Sequence, residues 1–128
     1  MYLFDTCTLL WWTLDPEKLS KKAAEACREV EANGGLLSSI SLWETGTKIQ
    51  KGKLHLGMSL QDYLTRLKEM NLLEILPVDE ALWLLNLELK WNHRDPVDRT
   101  IVATAMSRQL SIITADEEIQ KFYKKVIW

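Results

Sequence analysis

Apolar residues along this chain fall into two alternating kinds of run. Tyr2-Leu3-Phe4, Leu36 to Ile40, Leu73 to Leu76, Ile112-Ile113 and Val126 to Trp128 are short apolar segments of the length expected for buried strands. Between them the spacing is helical. Leu19 to Glu31 places Ala23, Ala24, Cys27 and Val30 on one face; Leu60 to Met70 does the same with Tyr63, Leu64 and Leu67, and Asp98 to Leu110 with Ile101, Val102, Ala105 and Met106. Glu80 to Lys90 is strongly apolar and predicts a helix that is either buried or turned toward another subunit. Strand and helix therefore alternate, which predicts an α/β protein with three layers, α/β/α, around a central, mainly parallel five-stranded sheet. Asn33-Gly34-Gly35, Lys51-Gly52-Lys53 and His55-Leu56-Gly57 are turn signals too short to link domains, so residues 1–128 are expected to form one domain.

Composition narrows the chemistry. Sixteen Lys and Arg against eighteen Asp and Glu give a formal charge of -2, which argues against a polybasic protein held on nucleic acid by bulk charge. Cys7 and Cys27 have neither metal-ligand spacing nor a disulfide framework; both are expected to be buried thiols in a reducing cytoplasm. No apolar run is long enough to span a membrane, and the segment from Met1 to Asp5 lacks the pattern of a signal peptide. With His55 and His93 as the only histidines, zinc clusters and ribonuclease chemistry on a histidine pair are nearly excluded. Carboxylates are what remains.

Four acids, Asp5, Glu44, Asp98 and Asp116, stand where a short apolar segment gives way to a helix. Each alone has a structural explanation. Ser41-Leu42-Trp43-Glu44 and Thr114-Ala115-Asp116-Glu117 match the capping box, Asp95-Pro96-Val97-Asp98 reads as an N-cap with proline at the first helical position, and Asp5 suits the cap of a helix starting near Thr6. Together they say more, because parallel strands put their carboxyl ends on one edge of the sheet, where such folds bind ligands. Four converging carboxylates repel one another unless their pKa values rise or a cation neutralises them. Oxygen ligands without His or Cys select a hard ion, Mg²⁺ or Mn²⁺. Such a site, with no nucleophilic side chain beside it, suits hydrolysis of a phosphodiester by a metal-activated water.

The same residues carry a family resemblance that runs the length of the chain. Phe4-Asp5-Thr6, Ser41-Leu42-Trp43-Glu44 with Lys48, His93-Arg94-Asp95-Pro96-Val97-Asp98-Arg99 and Thr114-Ala115-Asp116 resemble, in this order, the acidic motifs of PIN domains, and specifically of VapC-type ribonuclease toxins. Lys51-Gly52-Lys53-Leu54 and the terminal Val126-Ile127-Trp128 extend the likeness. The resemblance implies Asp5 and Asp98 as the main metal ligands, with Glu44 and Asp116 completing the pocket directly or through water. It also implies an endoribonuclease selective for single strands, usually dimeric, inhibited by a cognate antitoxin whose C-terminal segment enters the groove. Val97 departs from the aromatic usual in this subgroup, and Thr45-Gly46 from larger apolar residues; neither is an expected ligand.

The neighbours of the acids have supporting or purely structural readings. Thr6 and Thr114 are placed to orient a carboxylate or a metal-bound water, or to cap helices. Asp95 is expected to cap, and His93, in a polar turn, to be solvent-exposed. Lys48, Lys51, Lys53, Arg94 and Arg99 surround the acidic edge; Lys48, Arg94 and Arg99 are the candidates for holding the RNA backbone, with pairing between Lys48 and Glu44 as the alternative. Of the six tryptophans, Trp11 and Trp12, with the Leu82 to Leu89 stretch, are expected at a dimer or antitoxin contact. Two other functions stay open on residues alone. Asp5-Thr6-Cys7-Thr8 loosely resembles a nucleophilic aspartate motif of an aspartyl-phosphate phosphatase, though without a second aspartate two residues on, and the acids of a catalytically silent binding module would be only helix caps. Setting the four acids aside leaves sixteen basic against fourteen acidic residues, so a near-neutral total conceals a mildly positive remainder.

Overall fold

The structure, a computed structural model, describes residues 1–128. Strands β1 (Tyr2–Phe4), β2 (Gly35–Ser38), β3 (Leu73–Leu76), β4 (Ser111–Ile113) and β5 (Val126–Ile127) form one sheet in the order β3-β2-β1-β4-β5. Every neighbouring pair is parallel, so the sheet is wholly rather than mainly parallel. The helices are α1 (Thr6–Leu14), α2 (Lys21–Asn33), α3 (Ser39–Gln50), α4 (Leu60–Met70), α5 (Glu80–Glu88), α6 (Pro96–Arg108) and α7 (Glu117–Phe122), with a 3₁₀ turn at Pro16–Lys18. None is long and apolar enough to cross a membrane.

Register explains why the strands are apolar on both sides. Leu3 lies opposite Leu36 and Ile112, and Phe4 opposite Leu37 and Ile113. Successive side chains of a strand point to opposite faces. Leu3, Leu36 and Ile112 therefore enter one core with Val97, Ile101 and Val102 of α6, while Phe4, Leu37 and Ile113 enter another with Leu9, Cys27, Val30 and Leu67 of α1, α2 and α4. These two cores make the three layers. β1 is central, with β2 on one side and β4 on the other. Connections leaving β1 and β4 thus diverge and open a crevice at the carboxyl edge of the sheet.

Several local expectations are corrected. β2 stops at Ser38, whose hydroxyl accepts from the Ile40 amide at 3.2 Å and caps α3, so Ile40 belongs to the helix and not to the strand. Ser41 and Glu44 consequently lie within α3 and form no capping box. Asp116, not Thr114, caps α7. The α5 helix is not a buried one: Asn86 is its only buried residue, and Trp83, Leu84 and Leu87 face solvent. Cys27 is buried as expected, but Cys7 is exposed. Gly46 has a packing reason, since a Cβ there would meet Leu60 Cδ2 at 3.1 Å, where α3 runs close against α4.

Candidate active site

The four acids come from four separate places in the chain and line one open pocket of about 420 Å³, together with Thr6, Cys7, Trp11, Lys48, Asp95 and Ala115. Asp5 forms its floor. It follows β1, caps α1 by accepting the Thr8 amide at 2.7 Å, and is only 6% exposed. Its second carboxylate oxygen accepts a hydrogen bond from the Thr114 hydroxyl. That hydroxyl in turn accepts the Asp116 amide at 3.0 Å, so one threonine fixes the ends of β1 and β4 and the entry to α7 relative to one another. Thr6 donates to Ser41 Oγ at 3.0 Å inside the protein, joining α1 to α3 one turn before Glu44. Both threonines therefore hold the acids' supports, and neither hydroxyl is free to attack a substrate.

Asp98 enters from α6. Asp95 caps that helix by accepting the amides of Val97 and Asp98 at 2.9 and 3.1 Å, with Pro96 at the first helical position, as expected from sequence. Asp98 Oδ2 lies 2.7 Å from His93 Nε2. His93 is thus not the free, solvent-exposed residue expected. Its ring also packs beside Trp91, 4.9 Å between centroids, and Trp91 stacks on Phe122 of α7 at 4.6 Å. Neither periodicity nor motif spacing signals this pairing, because it depends on how the α5–α6 connection folds back over α6.

Arg99 makes that connection rigid. Nη1 donates to the carbonyls of Trp91 and His93 at 2.7 and 3.1 Å, Nη2 to those of Asn86 and Leu89 at 2.6 and 3.0 Å, and Nε to Asn86 Oδ1 at 3.4 Å. A guanidinium has five N–H donors, and all five are engaged. Arg99 is therefore a clamp on its own protein instead of the phosphate ligand expected for it. The buried Asn86 completes the arrangement by donating to Thr100 Oγ1 at 2.9 Å. Lys48 and Arg94 remain available: Lys48 lines the pocket, with Nζ 3.9 Å from Cys7 Sγ, and forms no ion pair with Glu44, while Arg94 is exposed. Trp12 is stacked on Phe4 at 5.0 Å and Trp11 packs on Trp128 at 5.6 Å, so both expected interface tryptophans make contacts within the chain. The exposed ones are Trp43 and Trp83.

The electrostatics of Asp5 and Asp98 are set first by burial and only secondarily by neighbouring carboxylates. Burial raises the pKa of Asp5, against hydrogen bonds from Thr114 and Thr8 that lower it, and Asp116 adds to the rise. Burial also pushes Asp98 from 3.8 up to about 6; the His93 hydrogen bond opposes this, and the charges of Asp95 and Asp116 reinforce it. The Cys7 thiol, exposed but partly desolvated in the pocket wall, is pushed up by that desolvation and by the charges of Asp5, Glu44 and Asp98, with Lys48 opposing, so it is not a ready thiolate nucleophile. Only one group of three potential ligands, His93, Asp95 and Asp98, has its donor atoms all within 4.8 Å. The four acids share the pocket at a wider spacing. Oxygen donors so spread fit a hard divalent cation that retains water between itself and some of its ligands.

A pH dependence follows from these shifts. Between pH 3.8 and about 6 folded Asp98 keeps a proton that the unfolded chain releases, so stability falls as pH rises through that window and the deficit persists above it. His93 is raised by its hydrogen bond to Asp98, and its contribution is full below the ordinary histidine value and lost as pH climbs through the raised one. Both act in the same direction. Metal-free protein is expected to be less stable at pH 8 than at pH 5, by about 1.4 kcal/mol from the roughly one unit of the Asp98 window that lies above pH 5. Calorimetric melting in chelator over a pH series measures it; a melting temperature that rises with pH contradicts the burial of Asp98.

Comparison with known proteins places this geometry. A family model described as PIN domain matches residues 2–125. Among solved structures, the chain is similar to one in a toxin-antitoxin complex from Klebsiella pneumoniae, at 19% identity and a TM-score of 0.66 over 100% of this chain and 97% of that one. It is also similar to a chain of VapBC2 from Rickettsia felis bound to a DNA fragment from its promoter, at 16% identity and a TM-score of 0.70 over 98% and 95%. A third, in FitAcB from Neisseria gonorrhoeae, gives 20% identity and a TM-score of 0.68 over 98% and 96%. No curated protein matches in sequence.

Proposed function

The chain belongs to the PIN-domain family, and we propose that it is a Mg²⁺- or Mn²⁺-dependent endoribonuclease, the toxin of a toxin-antitoxin pair, that hydrolyses phosphodiester bonds of single-stranded RNA with water as the nucleophile. The observation that carries this reading is the single pocket that Asp5, Glu44, Asp98 and Asp116 line, with Asp5 buried at its floor. Asp5 and Asp98 are the proposed direct ligands, and Glu44 and Asp116 complete the set directly or through water. When bound, the divalent ion supplies the positive charge that makes water a better nucleophile and stabilises the oxygens of the displacement.

The chain's own residues do the rest. Thr114 and the Thr8 amide fix the Asp5 carboxylate; Asp95 and His93 fix Asp98 at the start of α6. Glu44 projects from a helix tied to α1 through Thr6 and Ser41. Lys48, at the pocket, and Arg94, beyond it, are the cations left to meet phosphate. The phosphatase alternative fares worse, because residue 7 is Cys where such an enzyme uses its second acid. The similar chain from Klebsiella pneumoniae is described as part of a toxin-antitoxin complex, and on that likeness a cognate antitoxin is the proposed protein partner. A second copy of the chain is the other, with the exposed Trp83, Leu84 and Leu87 of α5 as apolar contact surface.

Incubation of the purified protein with fluorescent single-stranded and structured RNAs tests the reading. Cleavage of the single strand in Mn²⁺, abolished by chelator and restored by added Mn²⁺, is expected. An RNA-cleaving activity that survives chelation defeats the metal-dependent mechanism. Calorimetric titration without Mn²⁺ binding supports the silent module, whose acids would be caps alone.

A further inference from the structure

Beside the acidic pocket lies a second cleft, of about 590 Å³, with the opposite character. Trp91, Asn92, His93, Arg94 and Arg99 line it, and no carboxylate does. The two spaces share a wall: His93 faces the cleft while its Nε2 lies 2.7 Å from Asp98 Oδ2, which faces the pocket. The charge of Arg99 persists here. Its five bonds run to four carbonyl oxygens and one amide oxygen, and no carboxylate lies within ion-pairing distance. Carbonyl dipoles stabilise a guanidinium without cancelling its net charge, so the cleft lining carries two cations, Arg94 and Arg99, and no carboxylate.

What such a cleft accepts follows from its donors. Arg94 is exposed at its rim and free of ion pairs, so its planar fork is available for two parallel bonds to one anion. Trp91 has Phe122 against one side and His93 packed at a tilt on it, which leaves little face on which a base can stack. The ligand chemistry is therefore that of a phosphate more than a base. The geometry points to this cleft as the seat of an RNA phosphate neighbouring the one cut in the acidic pocket, bound by Arg94 at the rim, while Arg99, its donors all spent on the protein, contributes only the charge it fixes in the wall. This rests on the nuclease reading above. An acidic protein segment would meet the same cations, but on leaving the cleft toward the pocket it would meet four carboxylates. A nucleic acid strand would cross that boundary if Asp5, Glu44, Asp98 and Asp116 held a divalent cation, whose charge would offset theirs.

Binding of a fluorescein-labelled single-stranded RNA, with Ca²⁺ in place of Mn²⁺ and over a range of salt concentrations, tests the assignment. Arg94→Ala is expected to weaken binding roughly three- to tenfold and to make the slope of log K against log salt shallower by about 0.7, the signature of one lost phosphate contact on a single strand. Arg94→Lys restores the slope but only part of the affinity, since an ammonium cannot form the bidentate contact. Lys68→Ala, in the last turn of α4, changes neither. An unchanged affinity and slope for Arg94→Ala overturn the cleft, as does a loss confined to an oligoglutamate peptide, which assigns it to a protein partner. Cleavage in Mn²⁺ whose KM ignores Arg94 also overturns the cleft and leaves the nuclease standing. RNA binding that needs Arg94 in a wild-type protein that never cleaves overturns the nuclease reading itself.

Discussion

Asp5→Asn and Asp98→Asn are each expected to lower metal-dependent RNA cleavage by about a thousandfold or more, the kinetic equivalent of losing several kcal/mol of charge stabilisation at the transition state. The substitution keeps the shape of the side chain and removes the charge. At position 5 an asparagine oxygen still accepts the Thr8 amide, so α1 keeps its cap, and the new amide can donate to the Thr114 oxygen in place of accepting from it. At position 98 the asparagine oxygen still accepts from His93. Burial raises both native pKa values, which means that ionised Asp5 and Asp98 cost the metal-free protein stability at neutral pH. Both variants should therefore melt no lower than wild type in chelator. The difference appears on adding Mn²⁺. Wild type gains about 2.7 kcal/mol at an ion concentration one hundred times the dissociation constant, and the variants gain less or nothing. Differential scanning calorimetry with and without Mn²⁺, beside a cleavage assay, separates loss of metal from loss of fold. A variant that cleaves as wild type removes its residue from the site; one that fails to cleave yet gains the full metal stabilisation removes it from the ligand set.

The sequence carried much of this arrangement because two of its signals are local and strong. Short apolar runs marked all five strands, and the period of α2, α4 and α6 marked three helices, so the alternation and hence the parallel sheet were legible. Acids immediately beyond strands are then brought to one edge by topology alone, which is why the residues lining the pocket could be named before the fold. Boundaries were less legible. Nothing in the apolar run Leu36 to Ile40 shows that Ser38 turns the chain, since a serine serves equally in a buried strand and as an N-cap. The same ambiguity misplaced the capping role of Thr114, which goes to Asp116 once the threonine bridges two strands. Exposure along α5 was illegible for a different reason. A helix apolar on several faces predicts burial, but only one side of it meets the domain, and the excess is left on the surface. His93 and Arg99 depend on the path of a connection without periodicity, and no local pattern encodes where its carbonyls point.

Arg99→Met puts that last point to an experimental test, with an expected loss of about 3–5 kcal/mol of folding stability, on the basis of about 1 kcal/mol for each lost hydrogen bond and somewhat more where the donor is charged. Methionine has similar reach and packs as an apolar chain. It leaves the carbonyls of Asn86, Leu89, Trp91 and His93 and the side-chain oxygen of Asn86 without their donor. Some of these recover water as the connection loosens, which sets the estimate below the sum for five bonds left wholly unmet. Loosening releases His93 from Asp98, and cleavage should fall by about a hundredfold, the usual consequence of misplacing a catalytic group by roughly 1 Å. Arg99→Lys keeps the charge with three donors on a flexible stem and should recover only part of the stability, because an ammonium cannot reach four separated carbonyls and an amide at once. Urea denaturation distinguishes a clamp from a phosphate ligand. A residue that merely contacted RNA would, on replacement by methionine, weaken binding, flatten its salt dependence and leave the denaturation midpoint where it was. A midpoint unchanged from wild type would return Arg99 to the RNA surface; a midpoint lowered in step with activity assigns it to the connection that carries His93 over Asp98.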